Sequence, residues 1–466
     1  MHHIETDYLI IGSGAVGLAF ADTLLEQTGA HITIVDRHGK PGGHWNDAYS
    51  FVALHQPSAF YGVNSAPLGS NRKDSIGVNK GLYELASGPE VSGYFDMVMR
   101  QHLLPSGRVS YYPMSDYKGD GRFVSLLSGE ETMVTIAKKT VDATYYGTTV
   151  PSTHTPRYQV GDGVALVPPN ALPQLWMARG PRPEHFVIVG AGKTAMDVGV
   201  WLLNSGAKPQ SISWVMPRDS WLLNRLRTQP GIEFFDETIG GQAAQMEAFA
   251  QGASVDDIFE RLEAAGVMMR IYADHKPSMF HYATISEGEI EQLRRIKNVI
   301  RMGRVRAIEL GKIVLDEGSV AMPANTLFID CTASAVEKRP AVPIFQGDLI
   351  TAQLVRVPQP AFSAALVAFV EANYEGDEAK NKLCATVPFP NGLREYPRTN
   401  VVNMMNQFNW MQDKKLSAWI RESRLDGFGK VIAAIPPSDS EKIALLGKFR
   451  SNAMGAMANM QRLMAG

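Results

Sequence analysis

Short apolar runs that stop abruptly at glycine alternate along this chain with longer segments of mixed polarity. The first run is Tyr8–Ile11, which ends at Gly12; a helix-like stretch, LAFADTLLEQ, follows, and a second run, HITIVD, closes at Asp36. The order returns at FVIVG, residues 186–190, and leads through another helix-like stretch to SISWVM, which ends at Met216. Apolar runs of this length bounded by glycine predict buried strands, and strands alternating with helices predict a parallel α/β sheet. GRVSYYP (107–113) and TMVTIAKKTV (132–141) read as further strands. Between 221 and 300 the period changes. Ile258 and Leu262, then Ile290, Leu293 and Ile296, recur at helical spacing, and Ser286 with Glu289 forms a capping-box pattern. This region is predicted to be a helical insertion, serving as a lid or a dimer face, with the aromatic stretch DHKPSMFHY (274–282) lining a pocket. Met454, Met457, Met460 and Met464 form a helical stripe near the end of the chain, which predicts core or oligomer packing.

The chemistry sits where the apolar runs stop. The first turn reads G-S-G-A-V-G. Gly12 allows the tight turn, Gly14 lets backbone approach a pyrophosphate, and Gly17 lets the helix pack closely on the strand. The pyrophosphate would rest on the positive helix N-terminus. Asp36, followed by Arg37, stands at the tip of the next strand, where a carboxylate accepts hydrogen bonds from ribose hydroxyls. The second turn reads G-A-G-K-T-A, with Gly190, Gly192, Lys193, Thr194 and then Ala195 in the third glycine position. Its strand tip carries no acid; Arg218 stands just beyond Met216 and offers a cation to a 2′-phosphate. Two such turns predict two dinucleotides on one chain, with NADPH at the second. Lys193 reads as a surface residue of its turn more than as a ligand.

Composition narrows the class. A formal net charge of −2 gives no reason to expect nucleic acid or an anionic membrane as partner. The longest apolar run, AFSAALVAFV (361–370), is too short to span a bilayer. Cys331 and Cys384 have no metal-ligand or redox spacing and fit a reducing compartment. The run at Tyr8–Ile11 follows acidic residues and enters a glycine turn, unlike a secretory leader. A cytoplasmic protein is expected, with no metal, and a homodimer stays open.

These motifs together resemble the class B flavin-dependent monooxygenases: GSGAVG with Asp36, then the GGHW stretch containing Gly43, His44 and Trp45, then GAGKTA with an arginine-bearing next strand. The resemblance covers residues 1–60 and 185–220 and two short stretches beyond them. It implies two Rossmann-like dinucleotide-binding domains, with the NADPH domain inserted into a discontinuous FAD domain. The expected boundaries are 1–182 for the first FAD segment, 183–330 for the NADPH domain with its insertion, and 331–466 for the second FAD segment and C-terminal helices. VDATYYGTTVP (141–151) resembles the strand on which the chain leaves the FAD domain. TLFIDCTAS (326–334) resembles the one on which it re-enters, with Asp330 near the flavin. Gly43, His44 and Trp45 would supply a second FAD contact, and the Val109 backbone would touch the adenine side.

The implied activity is an NADPH-dependent oxygenation of a small organic substrate by molecular oxygen through a C4a-(hydro)peroxyflavin. For such chemistry the protein must deliver hydride and exclude water. His55 and Gln56, in FVALHQPSAFYGVNS (51–65), are the candidate catalytic residues beside the flavin. The Baeyer–Villiger fingerprint before the second turn is absent; Trp176 and His185 occur in other spacings. Two alternatives use the same frame: a flavin-dependent halogenase, and an NAD(P)H-dependent flavin reductase passing electrons to another acceptor. A nucleotide-binding sensor without turnover would be marked by a degraded second turn, and GAGKTA is intact.

Overall fold

The computed structural model describes residues 2–178, 182–334 and 336–465. β1 (His2–Ile11) runs into the first glycine turn, α1 (Ala15–Gln27) returns, and β2 (Ile32–Val35) lies parallel beside β1 with Ile10 opposite Ile34. α2 (Gly88–Met97) starts on a full Ser87–Glu90 capping box. β3 (Val109–Tyr112) extends the sheet beyond β2, and β4 (Glu131–Asp142) lies parallel on the other side of β1. The two runs read separately at 132–141 and 141–151 are thus one strand and the coil that leaves it.

β5 (Leu166–Val167) and β6 (His185–Val189) open the second unit, and α3 (Lys193–Asn204) and β7 (Ile212–Val215) repeat the strand–turn–helix–strand order. The insertion then holds β8 (Ser220–Asn224), α4 (Phe235–Gln251), a helix at Val255–Ala264, β9 (Met279–Ile285) and α5 (Glu287–Leu293). β10 (Asn298–Ile300) and β11 (Thr326–Asp330) complete a parallel sheet in the order β10-β7-β6-β11-β5. β12 (Leu349–Thr351) then joins the first sheet beside β4, and α6 (Pro360–Asn373), α7 (Tyr396–Gln412) and α8 (Ser440–Ala465) follow. Parallel strands need apolar cover on both faces. In the first unit α1 and α6 cover one face of β1 and β2, at Tyr8, Ile10, Ile32 and Ile34, while Leu9 and Val35 on the other face pack with Phe123 and Val134. α6 is the AFSAALVAFV run, buried on every side. Among the described residues, no helix is long and apolar enough to cross a membrane.

Three sequence expectations change here. The stretch 326–334 does not re-enter the first sheet: β11 pairs with β6, Asp330 opposite Val189, and all five of its residues are buried in the second sheet. Re-entry falls to β12, too short and too near a turn to stand out as an apolar run. The insertion is mixed rather than helical, because β8 and β9 pair with each other and β8 also takes a short strand at Met268–Met269. The methionine stripe is split: Met460 is buried against the aromatic cluster of Trp221, Phe259, Phe280 and Tyr396, while Met454 is 85% exposed.

Candidate functional site

The first glycine turn is backbone packed on backbone. Gly12 has φ +97°, and a Cβ there would meet Thr144 Cγ2 at 2.8 Å. A Cβ on Gly17 would fall far inside contact with the Gly12 carbonyl oxygen. Gly14 is the N-cap of α1 and places no side chain on the helix N-terminus, so the first-turn N–H groups are free to face an anion. The GGHW loop closes over this point: Gly42 N donates to the Ser13 carbonyl at 2.9 Å, and a Cβ on Gly43 would meet Gly14 Cα at 3.0 Å. Both Gly42 and Gly43 have positive φ, which an L side chain would strain. The next residue, His44, stacks on Trp45 with centroids 5.2 Å apart, and burial pushes its imidazole down to about 4, so it is neutral. Trp45 Nε1 donates to the Tyr61 hydroxyl at 2.8 Å. Beside this loop a cleft of about 610 Å³ is lined by Lys40, Trp45, Asn46, Tyr49, Gly88 and Arg100, a size typical of ligand pockets.

Asp36 lies at the β2 tip as expected, yet its carboxylate is fully engaged. One oxygen accepts from Ser13 N and from Ser13 Oγ at 2.8 Å; the other accepts from His38 N at 2.8 Å and lies 3.0 Å from His38 Nδ1. A carboxylate offers about four acceptor positions. A ribose would therefore take the place of the Ser13 hydroxyl or the His38 ring. Burial alone would raise this carboxyl, but the bonds from His38 and Ser13 outweigh it and hold it below its ordinary range. His38 sits between Asp36 and Asp47, whose Oδ2 is 2.7 Å from Nε2, and is raised to about 9 chiefly by Asp36. Arg37 is 74% exposed and pairs with Asp116 at 3.3 Å, a surface contact of small energy. Val109 is buried opposite Ile32.

The second turn repeats the geometry. Gly190 has φ +124°, and a Cβ would meet the Cys331 carbonyl at 2.7 Å. Gly192 N-caps α3 without a side-chain bond and has open space where its Cβ would stand. Ala195 is fully buried and replaces the third glycine without conflict. Asp330 stands at the end of β11 beside this turn, where its Oδ1 accepts from Thr332 N at 3.1 Å and Thr332 Oγ1 at 2.6 Å. Arg218 is exposed past the β7 tip and forms no ion pair among the described residues; burial of its stem and the charge of Arg304 push its guanidinium down.

Residues 10–65 match the family model described as an NAD(P)-binding Rossmann-like domain. Over 423 residues the chain is 49% identical to the uncharacterized protein Rv2000 of Mycobacterium tuberculosis, covering 91% of this chain and 78% of that protein. The uncharacterized protein Mb2023 of Mycobacterium bovis matches over the same extent. The chain belongs to the family of these mycobacterial proteins. Among solved structures, the polycyclic ketone monooxygenase of the fungus Thermothelomyces thermophila is similar over 100% of this chain and 88% of its own, with a TM-score of 0.50 and 12% identity. That likeness is one of fold, and the two-unit α/β architecture expected from the sequence is the one observed.

In this member of the Rv2000 family the two units meet along residues 49–56, and here the structure adds residues no motif announced. The Tyr49 hydroxyl donates to Asp197 Oδ2 at 2.7 Å, and Phe51 stacks on Trp201 with centroids 5.0 Å apart. Arg225, 1% exposed, donates from Nε to the His55 carbonyl at 2.9 Å. Lys193 is not a surface residue: its side chain is 10% exposed, with Nζ on Asp197 and 3.0 Å from Glu289 Oε1. The His55 imidazole is pushed down to about 3 by burial and by the Lys193 and Arg225 charges, so it is neutral at working pH. Gln56 Nε2 donates to the Pro358 carbonyl at 3.2 Å, just ahead of α6. Thr194 is half-buried beside Tyr49.

Proposed function

We propose that the protein is an NADPH-dependent FAD monooxygenase acting on a small organic substrate, with FAD on the first turn and NADPH on the second. The observation that carries this reading is a pair of helix N-termini, each capped by a bare glycine, on two sheets of one chain. The fit to dinucleotides is good at both turns. Backbone N–H groups face the place of a pyrophosphate, and at Gly12, Gly17 and Gly190 a Cβ would collide with a neighbouring residue.

FAD, when bound, supplies hydride acceptance and oxygen activation; the chain supplies position and a dry site. The N–H groups behind Gly14 and Gly192 hold the phosphates. Arg218 meets the 2′-phosphate and so selects NADPH. His55, neutral, has one ring N–H to offer as a hydrogen-bond donor and is not the imidazolium that acid catalysis would need. Gln56 presents its amide carbonyl, its NH₂ being held by Pro358. The docking of Tyr49 and Phe51 on α3 keeps water from the seam between the units. A dithiol relay gains no support, since Cys331 and Cys384 are both buried and burial pushes each thiol up.

The test is reoxidation in a stopped flow. The FAD-loaded protein is reduced anaerobically with NADPH and mixed with oxygen, with and without NADP⁺. The reading expects reoxidation slowed by bound NADP⁺, with hydrogen peroxide appearing only as slowly as the oxidised flavin returns, and with less of it when an oxidisable substrate is present to take the oxygen. Immediate reoxidation with stoichiometric peroxide, unaffected by NADP⁺ and by a panel of ketones, thioethers and amines, would count against an oxygenase and favour a reductase.

A further inference from the structure

Four charged side chains meet in a buried cluster between the two units. Lys193, the first residue of α3, contacts Asp197 one turn on and lies 3.0 Å from Glu289 Oε1. Glu289 Oε2 accepts from Arg225 Nη1 at 2.6 Å and from Ser286 N at 2.8 Å. Arg225 in turn holds the His55 carbonyl at 2.9 Å, and its Nη1 also reaches Asn79 Oδ1 at 3.3 Å. Despite burial, the Lys193 and Arg225 charges hold the Glu289 carboxyl well below the usual carboxylate range, so it is ionised. Stability does not explain such a cluster, because buried ion pairs are often matched or bettered by apolar side chains of equal volume. Its placement does. One end of it lies at the phosphate-facing N-terminus of α3, and the other grips the backbone next to Gln56.

We infer that Glu289 is a positioning residue that couples occupancy of the second glycine turn to the loop 49–56. Lys193 is the only member of the cluster that begins at the phosphate site. A dinucleotide pyrophosphate on the α3 N-terminus draws the Lys193 ammonium toward itself. Glu289 then turns its full charge on Arg225, and the grip of Arg225 on the His55 carbonyl tightens. The loop that carries Tyr49, His55 and Gln56 is thereby set when the second nucleotide binds. This rests on reading the second turn as a dinucleotide site, and it does not require FAD on the first.

The test is hydrogen exchange of the backbone amides of residues 49–60 in the protein as purified, with and without saturating NADP⁺, occupancy being checked by calorimetry. The wild type should show protection increased by at least about fivefold on NADP⁺ binding, the lower end of typical coupling between sites. In Lys193→Met that increase should vanish although NADP⁺ still binds. Because Lys193→Met removes the ammonium that Asp197 and Glu289 share and leaves both carboxylates buried, Glu289→Gln and the double variant Lys193→Met/Asp197→Asn are measured beside it. A merely structural role would change exchange equally with and without nucleotide. The inference is overturned if a folded variant keeps the wild-type response, if the wild type shows no response at saturation, or if NADP⁺ does not bind at all. Failure of the FAD reading would look different: a colourless protein in which the NADP⁺ response persists.

Discussion

In the first glycine turn the helix lies so close to the strand end that a Cβ on Gly17 would enter the Gly12 carbonyl oxygen; in the second, the same position is a fully buried alanine. The strand tips differ as well. The first ends in Asp36, buried and holding bonds from Ser13 and His38; the second is followed by Arg218, exposed and unpaired among the described residues. The frame is thus shared, and helix approach and tip charge vary independently on it. Approach distance limits which residue the first turn tolerates, and under the proposed function tip charge decides which ribose each site prefers.

The largest way to break the comparison is Gly17→Ala. Over-packing against backbone that cannot yield should cost about 3 kcal/mol, the upper end of the usual range, with loss of flavin colour in the purified protein. Urea unfolding and the visible spectrum check this together. Next is Arg218→Ala, which removes a charge-assisted contact to the 2′-phosphate. NADPH should weaken roughly ten- to a hundredfold relative to NADH, and an unchanged ratio by calorimetry would remove Arg218 from the site. Smaller again is Ala195→Gly, the mirror of the Gly17 change. It relieves no clash and weakens a helix turn, so a loss of about 1 kcal/mol is expected, with both nucleotides still bound.

The smallest effect sharpens the first strand tip. His38 is raised from 6.5 to about 9, chiefly by its hydrogen bond to Asp36. A raised folded value means that its stabilisation is complete below the ordinary histidine value and is lost as pH rises through about 9. The wild type should lose stability between roughly pH 6.5 and 9, and His38→Gln should flatten that limb. Partial exposure of the ring keeps the effect modest. Equal slopes in both proteins would free His38 from Asp36.

What the sequence discloses follows from how local each feature is. Gly17 and the Ser286–Glu289 cap are legible because the interacting atoms lie within a few residues of each other, and Gly12 and Gly14 because the positive φ and the bare helix N-cap they supply are local, although their close neighbours Thr144 and Gly43 are distant. The other role of Glu289 is not legible, since Lys193 is 96 residues away and the Arg225–His55 contact joins residues 170 apart. The same reason hides β8 beside β9, and it leaves the sheet that β11 joins to the family resemblance, which placed it in the first. Asp36 shows a further limit: its place was legible, but the donors already on it were not, because Ser13 lies 23 residues away and nothing in the sequence says which way the His38 ring, two residues on, turns.

The most direct test of two nucleotides working on one chain is anaerobic mixing of the purified protein with NADPH, and separately with NADH, while the flavin band is followed. The account predicts a yellow protein that NADPH, at concentrations well below saturation, bleaches at least about tenfold faster than NADH, as tighter binding through a 2′-phosphate contact implies. A colourless protein, or a yellow one that neither nucleotide reduces, would contradict it.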